Sequence, residues 1–252
     1  MKPELKQALM AAIKNNVKQK EVTLSNGNRV VVRPMLVKEL KLVAALVKEK
    51  ELDTDKDQFD IMAKVIKSCV IEGKVNLDTM PIFDFERLYF EIYKLGRETP
   101  IINVPFICKN EVDGDECGTD IIVKSNLNTV SMSREPETLI KLNDTISVKM
   151  RYPNVTELSY FDVNDPFDSF DLAWRLVEEV HVNGNIMKVG IDIKPEELLD
   201  LNEYISSEDI QKMFEFTNDM PTIVMDVAVK CPHCGHHEPI RLRGFQQIIF
   251  EN

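Results

Sequence analysis

The sequence predicts an α+β fold: an N-terminal helical part with a β-hairpin, then a zinc-ribbon-like β unit carrying an α/β insertion. Three observations predict it. Amphipathic helical stretches dominate the first hundred residues. From Ile101 the pattern switches to strand alternation on either side of Cys108 and Cys117. The same alternation returns at Ile223 and runs into Cys231-Pro-His-Cys234-Gly235. The parts expected are residues 1–100, the helical region with its hairpin, and residues 101–252. In the latter, 101–125 and 223–252 form the ribbon and 126–222 the insertion.

Length and composition bound this reading. A chain of 252 residues has room for one large domain or two ordinary ones. Hydrophobic residues at 44% and charged residues at 29% suit a globular chain with a buried core. A net charge of −11 makes free duplex nucleic acid a poor partner. No stretch approaches the roughly 20 apolar residues of a membrane span, and no apolar run near the start suggests a signal sequence. The chain reads as cytosolic, where its five cysteines favour metal ligation over disulfides.

Taking the elements in order, residues 3–18 are expected to form an amphipathic helix. Leu5, Leu9, Ile13 and Val17 recur every four residues, with lysines opposite. Such a helix either packs on the domain behind it or serves as an arm for a partner. Glu21 to Pro34 reads as a hairpin: Val22 and Leu24 lead into Asn26-Gly27, a type I′ turn signal, and Val30, Val31 and Val32 return. Pro34 lacks an N–H and ends the strand. A helix from about Val37 to Lys48 carries Leu40, Val43, Ala44 and Val47 as its stripe. Another, from about Asp57 to Val70, puts Phe59, Met62, Val65, Ile66 and Cys69 on one face, so Cys69 reads as a small core residue. A third runs from about Pro81 to Leu95, opened by Asp78-Thr79 and closed by Gly96. Its aromatics Phe83, Phe85, Tyr89, Phe90 and Tyr93 cover more than one face, as in a helix buried between layers or shared with an interface.

Ile102, Val104 and Phe106 alternate into Cys108, and Ile121-Ile122-Val123 continue after Cys117. The tip between them, Lys109 to Glu116, lacks the order of acids a calcium loop needs and reads as a solvated turn. In the insertion, Leu139 to Tyr152 reads as a hairpin turning at Asn143-Asp144. A helix is expected from Pro166 to Val180, with Phe167, Phe170, Ala173, Leu176, Val177 and Val180 on its face, before Asn183-Gly184-Asn185 turns the chain. Lys194 to Leu201 is a short helix or loop. Ser206 opens the next helix with Asp209 as its capping-box partner, and Ile210, Met213 and Phe214 face inward. Ile223, Met225, Val227 and Val229 alternate into Cys231. The apolar stretch from Leu242 to Phe250 should be buried, on its own domain or on a neighbouring subunit.

The chemistry concentrates in the cysteines. A Cys-x-x-Cys-Gly turn sets two thiolates on one side of a tight loop, half of a tetrahedral zinc site. Cys108 and Cys117 complete the set, although the eight residues between them exceed the usual two to four. Cys108, Cys117, Cys231 and Cys234 are therefore the expected ligands of one structural zinc. Four thiolates close the coordination shell and leave no position for water or substrate. His233, His236 and His237 crowd the second knuckle as exposed or supporting groups, unless His236 or His237 replaces Cys108. There is no Gly-rich phosphate loop and no Gly-x-Ser-x-Gly. His181 is expected at a helix end with a capping or surface role. No catalytic or organic-cofactor residues are assigned, and the chain is not read as an enzyme.

Several features, taken in order, resemble a known family. They are Thr23-Leu24-Ser25-Asn26-Gly27 to Val32-Arg33-Pro34, the helix Phe83-Asp84-Phe85-Glu86-Arg87-Leu88, and the segment Ile205 to Pro221 leading into Cys231-Pro-His-Cys234-Gly235. Leu242-Arg243-Gly244-Phe245 and the apolar stretch after it close the pattern. Together they resemble the T4-type phage baseplate proteins, the family containing a baseplate hub subunit and the hub assembly factor. The resemblance implies a non-enzymatic structural or assembly protein of a contractile tail's baseplate hub. Its partners would be other baseplate or tail hub proteins, with a homo-oligomer inside a symmetric assembly as an option. Its location would be the virion, or the host cytoplasm during assembly. The alternatives are a transient tail assembly chaperone and, less favoured, a zinc-ribbon nucleic-acid-binding protein. The strands carry few of the interleaved basic and aromatic residues the last would need.

Overall fold

The computed structural model describes residues 4–5, 7, 11–12, 16–49, 55–135, 137–158 and 166–249. Of the helix expected over 3–18, Leu9 and Ile13 lie outside the described residues, and Leu5 is 63% exposed. Phe250 lies outside them too. The chain is mixed α and β, and its contacts group it into two units. One comprises Met1–Val75, Glu86–Met132 and Thr222–Asn252, the other Asn76–Phe85 and Ser133–Pro221.

The first unit opens with β1 (Lys20–Thr23) and β2 (Arg29–Val32), which β3 (Val70–Glu72) extends into an antiparallel sheet of order β1-β2-β3. Val22, Val30 and Val32 are buried, the alternation of a sheet with one covered face. The turn differs from the expected type I′. Leu24 N–H donates to Asn28 O and Gly27 N–H to Leu24 O, and Gly27 alone of the Asn-Gly pair has a positive φ. This is a three-residue loop, a type I turn closed by a left-handed glycine. The Asn26 side chain accepts from Asn28 N–H instead.

α1 (Val37–Glu49) and α2 (Asp55–Cys69) follow. α2 buries Ile61, Val65, Ile66 and Cys69, and burial pushes the Cys69 thiol up to about 11, so it is the core residue expected. α1 departs from expectation. Leu40 and Ala44 of its stripe are exposed, while Glu39 is buried. The Glu39 carboxylate accepts from Arg33 Nη2 at 2.9 Å, Leu36 N–H at 3.0 Å and Ser68 Oγ. Arg33 also donates to Pro34 O and Ser68 O. Burial alone would raise the Glu39 carboxyl, but these hydrogen bonds outweigh it and hold it at about 2.

α3 (Ile82–Leu95) buries Phe83, Phe85, Leu88, Tyr89, Phe90 and Ile92, as its aromatic pattern predicts. Glu86 on this helix accepts from Thr222 Oγ1 at 2.7 Å and Phe245 N–H at 2.6 Å. β4 (Ile101–Ile107) pairs with β7 (Asp120–Asn126), enclosing the short β5 (Glu111–Val112) and β6 (Asp115–Glu116). β8 (Ser131–Met132), β13 (Ile223–Lys230) and β14 (His237–Arg243) form a second sheet of order β14-β13-β8. α8 (Gly244–Ile249) buries Phe245 and Ile248, with the Phe245 ring edge-on to Tyr89 at 4.8 Å, so this part of the apolar stretch packs on its own unit. Pro105 and Pro239 guard the outer strands. Counting from Cys108 N–H to Thr119 O and from Cys231 N–H to His236 O, each proline nitrogen faces the free edge. Those edges lack a donor there, which discourages pairing with a foreign strand.

The second unit is built on the antiparallel sheet β12-β11-β10-β9, made of β9 (Leu139–Lys141), β10 (Ile146–Met150), β11 (Val177–Val182) and β12 (Asn185–Lys188). Its helices are α4 (Val155–Leu158), α5 (Pro166–Arg175), α6 (Pro195–Leu199) and α7 (Ser207–Asn218). One core joins Val148, Met150, Val177 and Val180 of the sheet to Leu172, Trp174, Leu198, Ile210, Met213 and Phe216 of the helices. Ser206 caps α7, accepting from Asp209 N–H, as expected. The helix expected over 166–180 stops at Arg175. Val177-Glu-Glu-Val-His-Val182 is a strand instead, because its β-branched residues pair with β10 and return through the two-residue turn Asn183-Gly184.

Candidate metal centre

The two hairpins β4–β7 and β13–β14 each end in a cysteine knuckle. In the second, Cys231 N–H donates to His236 O and Gly235 N–H to Cys231 O, closing a tight loop around Cys231 and Cys234. In the first, Cys108 N–H donates to Thr119 O, Gly118 N–H to Cys108 O, and Cys117 N–H to Asn110 O. The glycine after each second cysteine takes a positive φ, 62° at Gly118 and 73° at Gly235, which a Cβ would strain. The wide spacing of the first knuckle is taken up by β5 and β6. They form a two-residue hairpin whose turn residues Asp113 and Gly114 have φ of 55° and 95°, as a type I′ turn requires. The expected solvated turn is thus an ordered hairpin projecting from the knuckle, and Asp113-Gly114 is its sequence signal.

The structure brings Cys108, Cys117, Cys231 and Cys234 together. All four sulfurs lie within 4.8 Å of one another. Cys108 Sγ is 3.7 Å from Cys234 Sγ, and Cys117 Sγ is 3.8 Å from Cys231 Sγ. These separations far exceed the roughly 2.05 Å of a disulfide. Cys108 and Cys231 are buried, Cys117 and Cys234 half-buried. The set can hold a metal ion.

Polar groups surround the sulfurs. Thr119 Oγ1 lies 3.1 Å and His233 Nδ1 3.6 Å from Cys117 Sγ, and Asn110 Nδ2 lies 3.8 Å from Cys234 Sγ. The Thr119 hydroxyl leads in bringing the Cys117 thiol down to about 6. At Cys108 the Asn110 backbone works to lower the thiol, but burial and the facing sulfurs of Cys234, Cys231 and Cys117 push it up to about 12. The Cys231 thiol is lowered as well, chiefly by the Cys234 backbone, so the cluster favours thiolate at Cys117 and Cys231 and disfavours it at Cys108. His236 Nε2 faces Glu238 Oε2 at 3.8 Å, and no histidine is needed to complete a set of four donors. His181 is not at a helix end. It lies in β11, with Nε2 3.0 Å from Glu179 Oε2. Sequence reasoning passed over Thr119 and Asn110, whose positions beside the cysteines are the only signal they carry.

A profile of the family described as T4 bacteriophage base plate protein matches residues 15–250. The chain belongs to this family. The chain is also similar to the baseplate hub assembly protein gp26 of enterobacteria phage T4, at 30% identity over 136 residues. That match covers 53% of this chain and 59% of the T4 protein, so the chain spans less than two thirds of its relative. No solved structure matches. Among the described residues of this base plate family chain, no helix is long and apolar enough to cross a membrane.

Proposed function

We propose that the chain is a non-enzymatic structural or assembly component of a contractile phage tail baseplate hub, working through protein–protein contacts. The observation that carries this is the family match over residues 15–250. The printed role of the T4 relative, hub assembly, supports it. In this reading the two hairpins form a zinc ribbon, and residues 126–222 are the insertion between its halves.

One zinc ion held by Cys108, Cys117, Cys231 and Cys234 completes the reading. A tetrahedron with zinc–sulfur bonds of about 2.3 Å has edges of about 3.8 Å, and two of the sulfur pairs are 3.7 and 3.8 Å apart. Bound zinc would supply charge neutralisation for four thiolates and a cross-link between hairpins. Thr119, Asn110 and His233 would orient and steady the sulfurs. The test is genetic and biochemical together. Loss of the chain should leave tails without complete hubs, and the purified protein should carry one zinc by elemental analysis. Complete hubs formed without the chain would sink the proposal.

A second reading, a transient tail assembly chaperone, is favoured by the word "assembly" in the relative's name. Mass spectrometry of purified particles separates the two. A component is found there in fixed ratio, and a chaperone is absent.

A further inference from the structure

α1 leaves an apolar face uncovered. Val37 is 66% and Leu40 53% exposed, and Ala44 is exposed beside them. At helical spacing these three share one side, i, i+3 and i+7. Glu39 points the other way into its pair with Arg33. The buried ion pair fixes the rotation of the helix, and that rotation turns the apolar stripe outward. Exposed Lys38 and Lys41 flank the stripe, and Lys38 Nζ lies 3.4 Å from Oε1 of the inward-turned Glu39 while its side chain stays open to solvent.

We propose that this face docks an amphipathic helix of another protein, one whose apolar stripe is flanked by Asp or Glu. Charge decides the occupant. A second copy would bring the same lysine-flanked face against itself, lysine to lysine. The chain's own first twenty residues carry Lys2, Lys6, Lys14, Lys18 and Lys20 against Glu4, so they repeat the lysines instead of complementing them. An acidic partner helix gains from Lys38 and Lys41 in encounter rate and register, and from Val37, Leu40 and Ala44 in contact. This inference stands independently of the baseplate reading, because it specifies a chemistry and not an assembly.

The test uses the full chain and two labelled synthetic helices with the same leucine stripe, one flanked by glutamates and one by lysines. The glutamate helix should bind saturably and at least tenfold tighter than the lysine helix, and added salt should weaken it. Val37→Ser with Leu40→Ser should abolish binding. Lys38→Glu with Lys41→Glu should reverse the preference between helices. All four positions are exposed, and circular dichroism confirms that both variants stay folded. Equal binding of the two helices, or none, overturns the proposal. So does concentration-dependent dimerisation that Val37→Ser with Leu40→Ser removes, which would make a second copy the occupant. In the full chain, Leu5→Ser with Leu9→Ser should leave binding unchanged. A tenfold gain there would show the N-terminal stretch to be the occupant and overturn it too.

Discussion

The second unit and the knuckle end of the first hold themselves together by different means. The second unit closes a continuous apolar core, with Trp174 1% exposed and Met213 and Leu176 fully buried. At the knuckles there is little to bury. Every residue from Glu111 to Glu116 is exposed, and the buried groups are Cys108 and Cys231 themselves. Apolar burial spreads stability over many contacts, so no single one is indispensable. If the four-thiol cluster holds the proposed zinc, it concentrates stability at one point, as small domains without enough core must do.

Removing that point should have the largest effect. Cys231→Ser is expected to release the proposed zinc and unfold the knuckles, since structural zinc contributes about 10–16 kcal/mol in finger peptides. Cys117→Ser should do the same. Full occupancy in Cys117→Ser, measured by elemental analysis, would break the comparison at its root. The chain's single tryptophan is Trp174, in the second unit. Chelation should therefore strip the metal while Trp174 emission stays that of a buried ring, and a red shift would show that the two means are not separate.

The converse change is Trp174→Ala, expected to cost about 3–5 kcal/mol through the cavity it leaves. Thermal melts should fall while zinc content stays at one per chain. Next comes Glu39→Ala, which strands buried Arg33 and should cost about 3 kcal/mol. Its pH signature has a definite sign. The folded carboxyl is lowered from 4.5 to about 2, so its contribution is present above pH 4.5 and lost as pH falls toward 2. Denaturant melts between those pH values should show that loss in the native protein and not in the variant. Smallest is Gly114→Ala, which forces a side chain into a left-handed turn at about 1–2 kcal/mol. Competition with a chelator should show zinc affinity down by about tenfold.

What the sequence made legible follows the reach of each signal. The Cys-x-x-Cys-Gly knuckle, the Ser206 cap and the strands flanking the cysteines depend on neighbours a few residues away, and they stand where the pattern puts them. The α1 stripe was misleading because its orientation is set by Glu39, whose partners Arg33 and Ser68 lie 6 and 29 residues off. Periodicity reports which residues share a face and says nothing of which way that face turns. Val177 and Val180 fit a helical stripe and a strand equally well, and pairing with β10 decided between them. At the knuckle, the meeting of cysteines over a hundred residues apart was legible only through the shared chemistry of their ligand type. Thr119 and Asn110 have no such type to give them away.

The distance between the half-sites also sets a clock. Cys231 follows Cys117 by 114 positions. At synthesis rates of about 5–20 residues per second, the first knuckle would wait roughly 6–23 s for the second to be made. Throughout that interval it offers two thiols and no closed site. A sealed cluster then certifies that the ribosome has passed everything between the two half-sites.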